Sequence, residues 1–407
     1  MSVSNYTPNF DFIKDTLDLD GAIVQGYEET HDGILVHVKL KRKPHICPEC
    51  GCEITHVHDH RKRTVQAGMI NGKKISVRVD RRRLRCTCCG KRFYEEAPFL
   101  MKYQRVTISV RNQIFESFAG SIQSVTDLSH TLGLSASSVR HYLDLITPAP
   151  KPLPRVMGID EFKGNAGGQK FQVVITDLET REVVDILEDR STKTLVEYFN
   201  LRPEKGNVEV IAMDLSNQFR LVAATCFPEA EIVADRFHLH RSVLWSMGRV
   251  RKSEQKHLGS TYRKFFKHSK RILYKRYEVL SDAEKEALTV MFQYSSDLLR
   301  AWMVKEAFFD IMDLRDGELI RSALGKWIKV IEDFQVSSFY GNVKTIRSWI
   351  DPVVASALSP YSNGFTEGVN NKIKVLKRNA YGLRNADRFR SRIMLAVNVK
   401  RGTKLCA

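Results

Sequence analysis

The stretch RVMGIDEF, Arg155 to Phe162, runs three apolar residues (Val156, Met157 and Ile159) into two adjacent acids, Asp160 and Glu161. A half-wet strand spreads its charges along one face by alternation, so a buried run ending in carboxylates asks for a reason. The segments that follow place this strand in a sheet. KFQVVITD and EVVDILED read as two more strands around the polar LETR, with Asp177 in the turn. TKTLVEYFNL reads as a helix, VEVIAMD (Val208 to Asp214) as a fourth strand, NQFRLVAATCF as a helix and EIVAD (Glu231 to Asp235) as a fifth strand.

A three-strand meander followed by alternating helix and strand is the order of a ribonuclease H-like sheet. In that order the ends of the first and fourth strands are neighbours, which brings Asp160 and Asp214 together. Two close carboxylates repel, and burial raises their pKa values. A divalent cation removes the conflict, and hard oxygen ligands suit Mg²⁺ or Mn²⁺. The third acid is Glu367 in YSNGFTEGVNNKIKVLKR. Ser362 or Asn363 can cap that helix, Val369, Ile373 and Leu376 form its apolar stripe, and Asn370 and Asn371 follow one turn after the Glu. Lys374, Lys377 and Arg378 extend a basic face along which a phosphate backbone can lie. With two ions, an Asp, Asp, Glu set activates a water or a 3′-hydroxyl for in-line attack on a phosphodiester. A lone strand-end Asp is more often a turn or cap residue, so the reading rests on three acids at matching positions.

The totals agree with a nucleic-acid partner. The chain has 407 residues, 64 Lys and Arg against 47 Asp and Glu, and a net charge of +17. That length predicts two to four domains, and that charge favours a polyanion. No apolar run approaches the roughly 20 residues of a membrane span. MSVSNYTPNFDFIKD has neither a basic n-region nor an apolar h-region, so the expected location is cytoplasmic and nucleoid-associated.

Six of the eight cysteines cluster in CPECGC and CTCCG, which in an intracellular chain reads as metal chemistry. Cys47, Cys50, Cys86 and Cys89 make a tetrahedral set for one structural Zn²⁺. The gap between the pairs is long, and a hairpin at Asn71-Gly72 folds it back. GILVHVKL (Gly33 to Leu40) and the run Ile75, Val77, Val79 read as strands. His45, His56, His58 and His60 compete as ligands, Cys52 and Cys88 are spare, and Cys226 and Cys406 are isolated. Arg61, Lys62, Arg63, Arg81, Arg82, Arg83 and Arg85 are expected phosphate contacts. From Thr107 the period turns helical. Ser124 to Ile146 reads as a helix-turn-helix, with Gly133 at the turn, Leu134 between the helices and Ser135 as cap. Its second helix offers Ser137, Ser138, Arg140 and His141 to a major groove; the bland alternative is a packed helical hairpin. TPAPKPLP (Thr147 to Pro154) reads as a stiff linker. Residues 239–352 read as helical, with a capping box at Ser281 and Glu284. Arg241 to Arg276 carries 12 Lys/Arg and one acid, Glu254, as a basic surface or simply a solvated face.

The series of cysteine pairs, helix-turn-helix, GIDEF, AMDLSNQF, VADRFHLHR and SNGFTEGVNNKIKVLKRNAYG resembles the bacterial insertion-sequence transposases of the ISL3 family, over essentially the whole chain. The resemblance implies a ribonuclease H-like DDE core interrupted by a helical insertion, and cut-and-paste transposition at terminal inverted repeats. It implies that Asp160, Asp214 and Glu367 are catalytic and hold the Mg²⁺ or Mn²⁺ ions, with Asp235 and His238 as support. AMDLSN lacks the basic residue that the family more often has beside its Asp. The expected fold class is α/β and α, multidomain. Its layout is a zinc-binding β module (1–100), a helix-turn-helix (105–147), a linker (148–154), a first ribonuclease H-like core segment (155–238), an all-helical insertion (239–352) and a second core segment carrying the Glu (353–407). The expected partners are double-stranded DNA, as transposon ends and target, and further copies of the chain, as a homodimer or higher multimer. The alternatives are a repeat-binding regulator with an inactive nuclease site, or a host nuclease using the same metal chemistry.

Overall fold

A computed structural model describes residues 10–54, 56–257, 263, 266, 268–380 and 383–400. Cys406 and the first nine residues lie outside the described residues, as does a stretch of the basic run near residue 260. The chain forms two compact units, residues 1–148 with 375–407, and residues 149–374.

In the first unit, α1 (Asp11–Thr16) precedes β1 (Ala22–Thr30) and β2 (Gly33–Leu40). Two short pairing strands, β3 (His45–Ile46) and β4 (Glu53–Ile54), flank the first cysteine knuckle. The long β5 (Val57–Ile70) and β6 (Lys73–Arg85) pair antiparallel, and β7 (Arg92–Tyr94) pairs with the end of β6. The sheet order is β1-β2-β6-β5. Asn71 and Gly72, both at positive φ, close the β5–β6 hairpin as the sequence requires. Val36, Val38, Val65, Ile75, Val77 and Val79 build its core by alternation.

Helices α2 (Ile108–Phe118), α3 (Val125–Leu132) and α4 (Ala136–Asp144) follow. Ser124 and Ser135 cap α3 and α4 by accepting from Asp127 N and Ser138 N. Gly133 ends α3 in the left-handed region at φ 63°.

The second unit opens with residues 149–155. Lys151 N donates to Val184 O, and Leu153 is buried in the core, so the end of the proline segment is packed rather than a free spacer. β8 (Val156–Phe162), β9 (Gln172–Asp177) and β10 (Glu182–Leu187) form an antiparallel meander. After α5 (Thr192–Asn200), β11 (Val210–Met213) pairs parallel to β8 on its other side. After α6 (Asn217–Cys226), β12 (Glu231–Ala234) pairs parallel to β11. The order is β10-β9-β8-β11-β12. Strand order therefore reverses between β8 and β11, the place where open sheets bind ligands beyond their carboxyl ends.

A helical region continues with α7 (Arg236–His257), α8 (Ser269–Tyr274), α9 (Asp282–Tyr294), α10 (Ser296–Met312), α11 (Gly317–Asp333), α12 (Tyr340–Ser348) and α13 (Ile350–Leu358). The Ser281–Glu284 capping box is present. Part of the basic run, its C-terminal end, is paired with acids inside this region. Arg276 pairs with Asp310 and Asp313, Arg271 and Lys275 with Glu284, and Arg249 reaches Ser338 O. No helix among the described residues is long and apolar enough to cross a membrane.

The last helices are α14 (Gly364–Asn379) and α15 (Ala386–Asn398), and the boundary between the units falls inside α14. The expectation that 353–407 belongs whole to the sheet-bearing unit needs correction. α15 packs with α2 and α4. Leu395 joins their core, Arg388 forms two 2.6 Å bonds to Asp144, and Ser391 donates to Ile146 O. Arg392 is buried, donates to Phe118 O and Gln123 O, and stacks 4.0 Å from the Phe118 ring centroid. The helical portion of the first unit is completed by the end of the chain.

Candidate active site and metal centres

β8 and β11 pair Ile159 with Met213, so Asp160 and Asp214 each stand one residue beyond that pair. β11 and β12 pair Met213 with Ala234, which adds Asp235 to the row. Three acids thus share the carboxyl ends of three adjacent strands. Asp160 is 8% exposed and Asp235 2% exposed. Burial first, and the neighbouring Asp214 second, push the Asp160 carboxyl up to about 7. Burial also raises Asp214, against the opposing pull of His238. Asp214 Oδ1 is buried with no hydrogen-bond partner among the described residues. An orphaned carboxylate oxygen beside a second strained carboxylate is the donor set that a hard divalent cation satisfies.

The surrounding residues hold this row in place. Asp160 Oδ1 accepts from Glu161 N at 2.8 Å, and its Oδ2 accepts from Asn370 Nδ2 at 2.8 Å. Asp235 accepts from Phe237 N at 2.9 Å and bonds His238 Nδ1 at 2.7 Å, which raises the His238 pKa. Glu161 pairs with Arg190, whose guanidinium lies 4.7 Å from the Phe171 ring centroid.

α14 docks on β8 along one stripe. Asn363 Nδ2 donates to Ile159 O at 3.3 Å, and the Thr366 and Thr176 hydroxyls meet at 2.7 Å. Gly158 allows this approach, because a β-carbon there would fall 2.4 Å from Thr176 Oγ1 and 2.5 Å from Thr366 Oγ1. Val369, Ile373 and Leu376 are buried as their spacing predicts. Glu367, half-buried, lies one helical turn before Asn370. Among the described residues, no set of three acids, whether it includes Glu367 or is the row Asp160, Asp214 and Asp235, brings its oxygens within 4.8 Å of one another.

Asn363, Thr366 and Asn370 were not read as site residues from the sequence. Their i, i+3, i+7 spacing around Glu367 was the available signal: three buried polar side chains on one helix face need partners.

The cysteines do close. Ligand atoms of Cys47, Cys50, Cys86 and Cys89 all lie within 4.8 Å of one another. Backbone amides of Cys89 and Cys88 pull the Cys86 thiol down to about 6. Against their own turn amides, burial and the neighbouring sulfurs push Cys50 up to about 11 and Cys89 up to about 12, a crowding that a metal replacing their protons relieves. Four thiols in two amide-lined knuckles fit tetrahedral zinc. Cys52 and Cys88 are not remote spares, since they form a second close set with Cys86. The competing histidines stand apart: His45 faces Glu95 at 3.8 Å, and His60 bonds Asp80 at 3.1 Å.

Of the expected phosphate contacts, Arg82 requires correction. It is 9% exposed, paired with Glu95 and bonded to Lys41 O: alternation puts it on the face of Leu84, opposite Val77 and Val79, and the segment after β7 covers it there. Arg81 and Arg83 are half-buried and flank the Tyr94 ring at 5.4 and 5.8 Å. Ser137, Arg140 and His141 are exposed on α4, and Ser138 is half-buried. Lys374 and Arg378 are exposed on α14, and Lys377 is half-buried.

A family model described as transposase, of the DDE type named for ISL3, matches residues 157–393. The zinc-finger model of the transposases of IS204, IS1001, IS1096 and IS1165 matches residues 43–89. The transposase for insertion sequence element IS1001 of Bordetella parapertussis is 24% identical over 382 residues, covering 92% of this chain and 94% of that protein. The transposase for IS1557 of Mycobacterium tuberculosis is 23% identical over 277 residues, 61% of each chain. A Lactococcus lactis protein named ATP-dependent protease is 36% identical over 109 residues, only 27% of this chain. The family match spans the row of acids, the helical region and the Glu367 helix, and the chain belongs to the ISL3 family of transposases.

Proposed function

We propose that this chain binds the terminal inverted repeats of an insertion sequence, cuts the DNA there and joins the freed end to a target, in cut-and-paste fashion. The observation that carries the reading is the row Asp160, Asp214, Asp235 at the strand-order reversal, with one carboxylate oxygen lacking a donor among the described residues. The sheet is read as a ribonuclease H-like core, a reading supported by its strand order, antiparallel across β10, β9 and β8 and parallel across β8, β11 and β12. The three capped helices α2–α4 are read as a helix-turn-helix that meets DNA.

In this mechanism Asp160, Asp214 and Glu367 hold the divalent ions, Mg²⁺ or Mn²⁺. When bound, these ions supply Lewis acidity at the phosphate and a deprotonated water or 3′-hydroxyl. Asn370 keeps the Asp160 carboxylate turned toward its neighbours. Asp235 fixes the ring of His238 and favours its protonated form, which places a hydrogen-bond donor beside the acids. Glu161 and Arg190 restrain the mouth of the site. Lys374, Lys377 and Arg378 offer charge to the backbone of the bound strand. Two ends require two copies of the chain, so the acting species is a homodimer or a higher multimer.

The test is cleavage of a labelled duplex carrying the element's own end, with and without Mg²⁺ or Mn²⁺. Wild type should cut at the end only with metal. Asp160→Asn, Asp214→Asn and Glu367→Gln should bind equally and cut about 10³-fold less, the scale of several kcal/mol of lost charge stabilisation. Wild type that binds the end and cuts under no metal condition would make the chain a regulator instead.

A further inference from the structure

Within the first unit, the β-sheet and the helices meet at one residue. β5 slips register against β6 between Gln66 and Met69, which bends it toward α3. At the bend, Gln66 N donates to Arg105 O and its carbonyl accepts from Thr107 N, both at 3.0 Å. Its side chain goes the other way: Nε2 donates to Leu132 O at 3.1 Å and to Gly133 O at 2.7 Å. Carbonyls at a helix end lack intrahelical donors, so one amide satisfies what the turn leaves open. Met69 closes the contact. Its side chain packs on Gly133, where a β-carbon would fall 2.7 Å from Sδ and where the left-handed φ of 63° itself favours glycine. Tyr142 of α4, 3% exposed, meets the backbone of Arg105 and Val106 with its hydroxyl. Neither side of this junction rotates without breaking these bonds.

The junction shapes two concavities on the same unit. One, of about 570 Å³, lies between the strands and α4, with Thr64, Lys74 and Ser76 on one wall and Ser137 and His141 on the other. Among the described residues, no carboxylate lines it. Its neighbour, of about 1080 Å³, carries eight Lys and Arg, Arg61, Lys62 and Arg63 among them, and among the described residues the single acid Glu96 stands against them. Tyr103 borders both.

We propose that the zinc-bearing sheet and α4 form one rigid reading head for a single continuous duplex. The polar concavity and α4 take base edges, and the basic concavity takes the adjoining phosphates. The Gln66–Gly133 clasp sets the distance between the two contacts. This rests on the end-binding reading above and adds fixed spacing to it. Base contacts specify and phosphate contacts position, so a rigid link makes the two interdependent. Each inserted base pair moves the sites apart by about 3.4 Å and rotates them by about a tenth of a turn. Two modules on a flexible tether would absorb that; this head does not.

The experiment uses the full zinc-loaded chain and duplexes carrying the element's terminal repeat. Footprinting first locates the two protected patches. One or five base pairs are then inserted between them, and affinity is measured at fixed salt. Wild type should lose on the order of 10–100-fold for five base pairs, the scale of a module's worth of lost contacts. Gln66→Ala, or Gln66→Met if the smaller side chain unfolds the unit, should bind the native duplex more weakly and show a smaller spacing penalty. Wild type that binds all spacings alike overturns the rigid head and leaves end binding intact. Wild type that binds end and random duplexes alike removes the end-binding reading, and the rigid head with it.

Discussion

The two sets of residues proposed to hold metal in this chain are built in opposite ways. The cysteine ligands come from two knuckles of five residues, each with its own turn amides, and the four sulfurs already lie within 4.8 Å. The carboxylates come from the ends of separate strands and from a helix far along the chain, and burial and mutual repulsion hold Asp160 near neutrality. In the first set the conflict is local: the sulfurs crowd one another and push the Cys50 and Cys89 thiols up while turn amides pull Cys86 down, and zinc would relieve that crowding and add stability once loaded. The second is kept in conflict by the fold and draws on stability made elsewhere. That is the expected division between an ion that holds a fold and ions that are used.

The largest expected effect comes from removing one cysteine ligand. Structural zinc contributes on the order of 10 kcal/mol to small modules of this kind. Cys86→Ser should therefore lose zinc by elemental analysis and lose the cooperative melt of the β1–β7 sheet. A variant that keeps both would deny the centre its structural role.

Arg82→Ala comes next. It leaves Glu95, 1% exposed, without its cation, at a cost of about 3–5 kcal/mol. Below its lowered melting temperature, the salt dependence of DNA binding should match wild type, because Arg82 is not on the surface. A reduced salt slope would return Arg82 to the interface.

At the carboxylate centre, Asn370→Ala removes the donor to Asp160 Oδ2. Residues that orient a metal ligand typically govern roughly 10–100-fold in affinity or activity, so calorimetric Mn²⁺ titration should show weakening by that factor. Unchanged Mn²⁺ affinity would make Asn370 a packing residue only.

The smallest effect concerns pH. Asp160 titrates at about 7 in the folded chain and at about 3.9 in an unfolded one. Between those values the folded state binds more protons, so stability falls as pH rises from about 4 to about 7. Denaturant midpoints of zinc-loaded protein in buffer free of Mg²⁺ and Mn²⁺ should show this slope, and Asp160→Asn should flatten it. An Asp160→Asn profile that runs parallel to wild type through this window would show that Asp160 is not under strain.

Particular residues show how far the sequence could be read. The capping serines 135 and 281 and the Asn71-Gly72 turn act over four residues or fewer, and each is found where its spacing placed it. β6 shows the opposite. Arg81, Arg82 and Arg83 look alike in sequence, yet the segment after β7 brings the Glu95 carboxylate over the middle one alone and buries it on the face opposite the valine core. β5 was not read as a strand, because its run of charges hides the alternation that buries Val65. α15 shows a further limit. Its apolar face is legible, but the partner of that face lies more than 240 residues earlier.

The local chemistry follows from residue order alone: the cysteine knuckles, the caps and turns, the strand-end acids, and the succession of strands that makes Asp160 and Asp214 neighbours. Those features depend on short-range sterics and on side-chain periods of about 2 and 3.6 residues. Long-range packing is what makes Asn370 restrain Asp160, buries Arg82 in an ion pair, lets Gln66 clasp the α3–α4 turn, and uses the final helix to complete the N-terminal helical unit. Those outcomes depend on which distant polar groups must find each other once water is excluded, and that requirement exists only after the chain has packed.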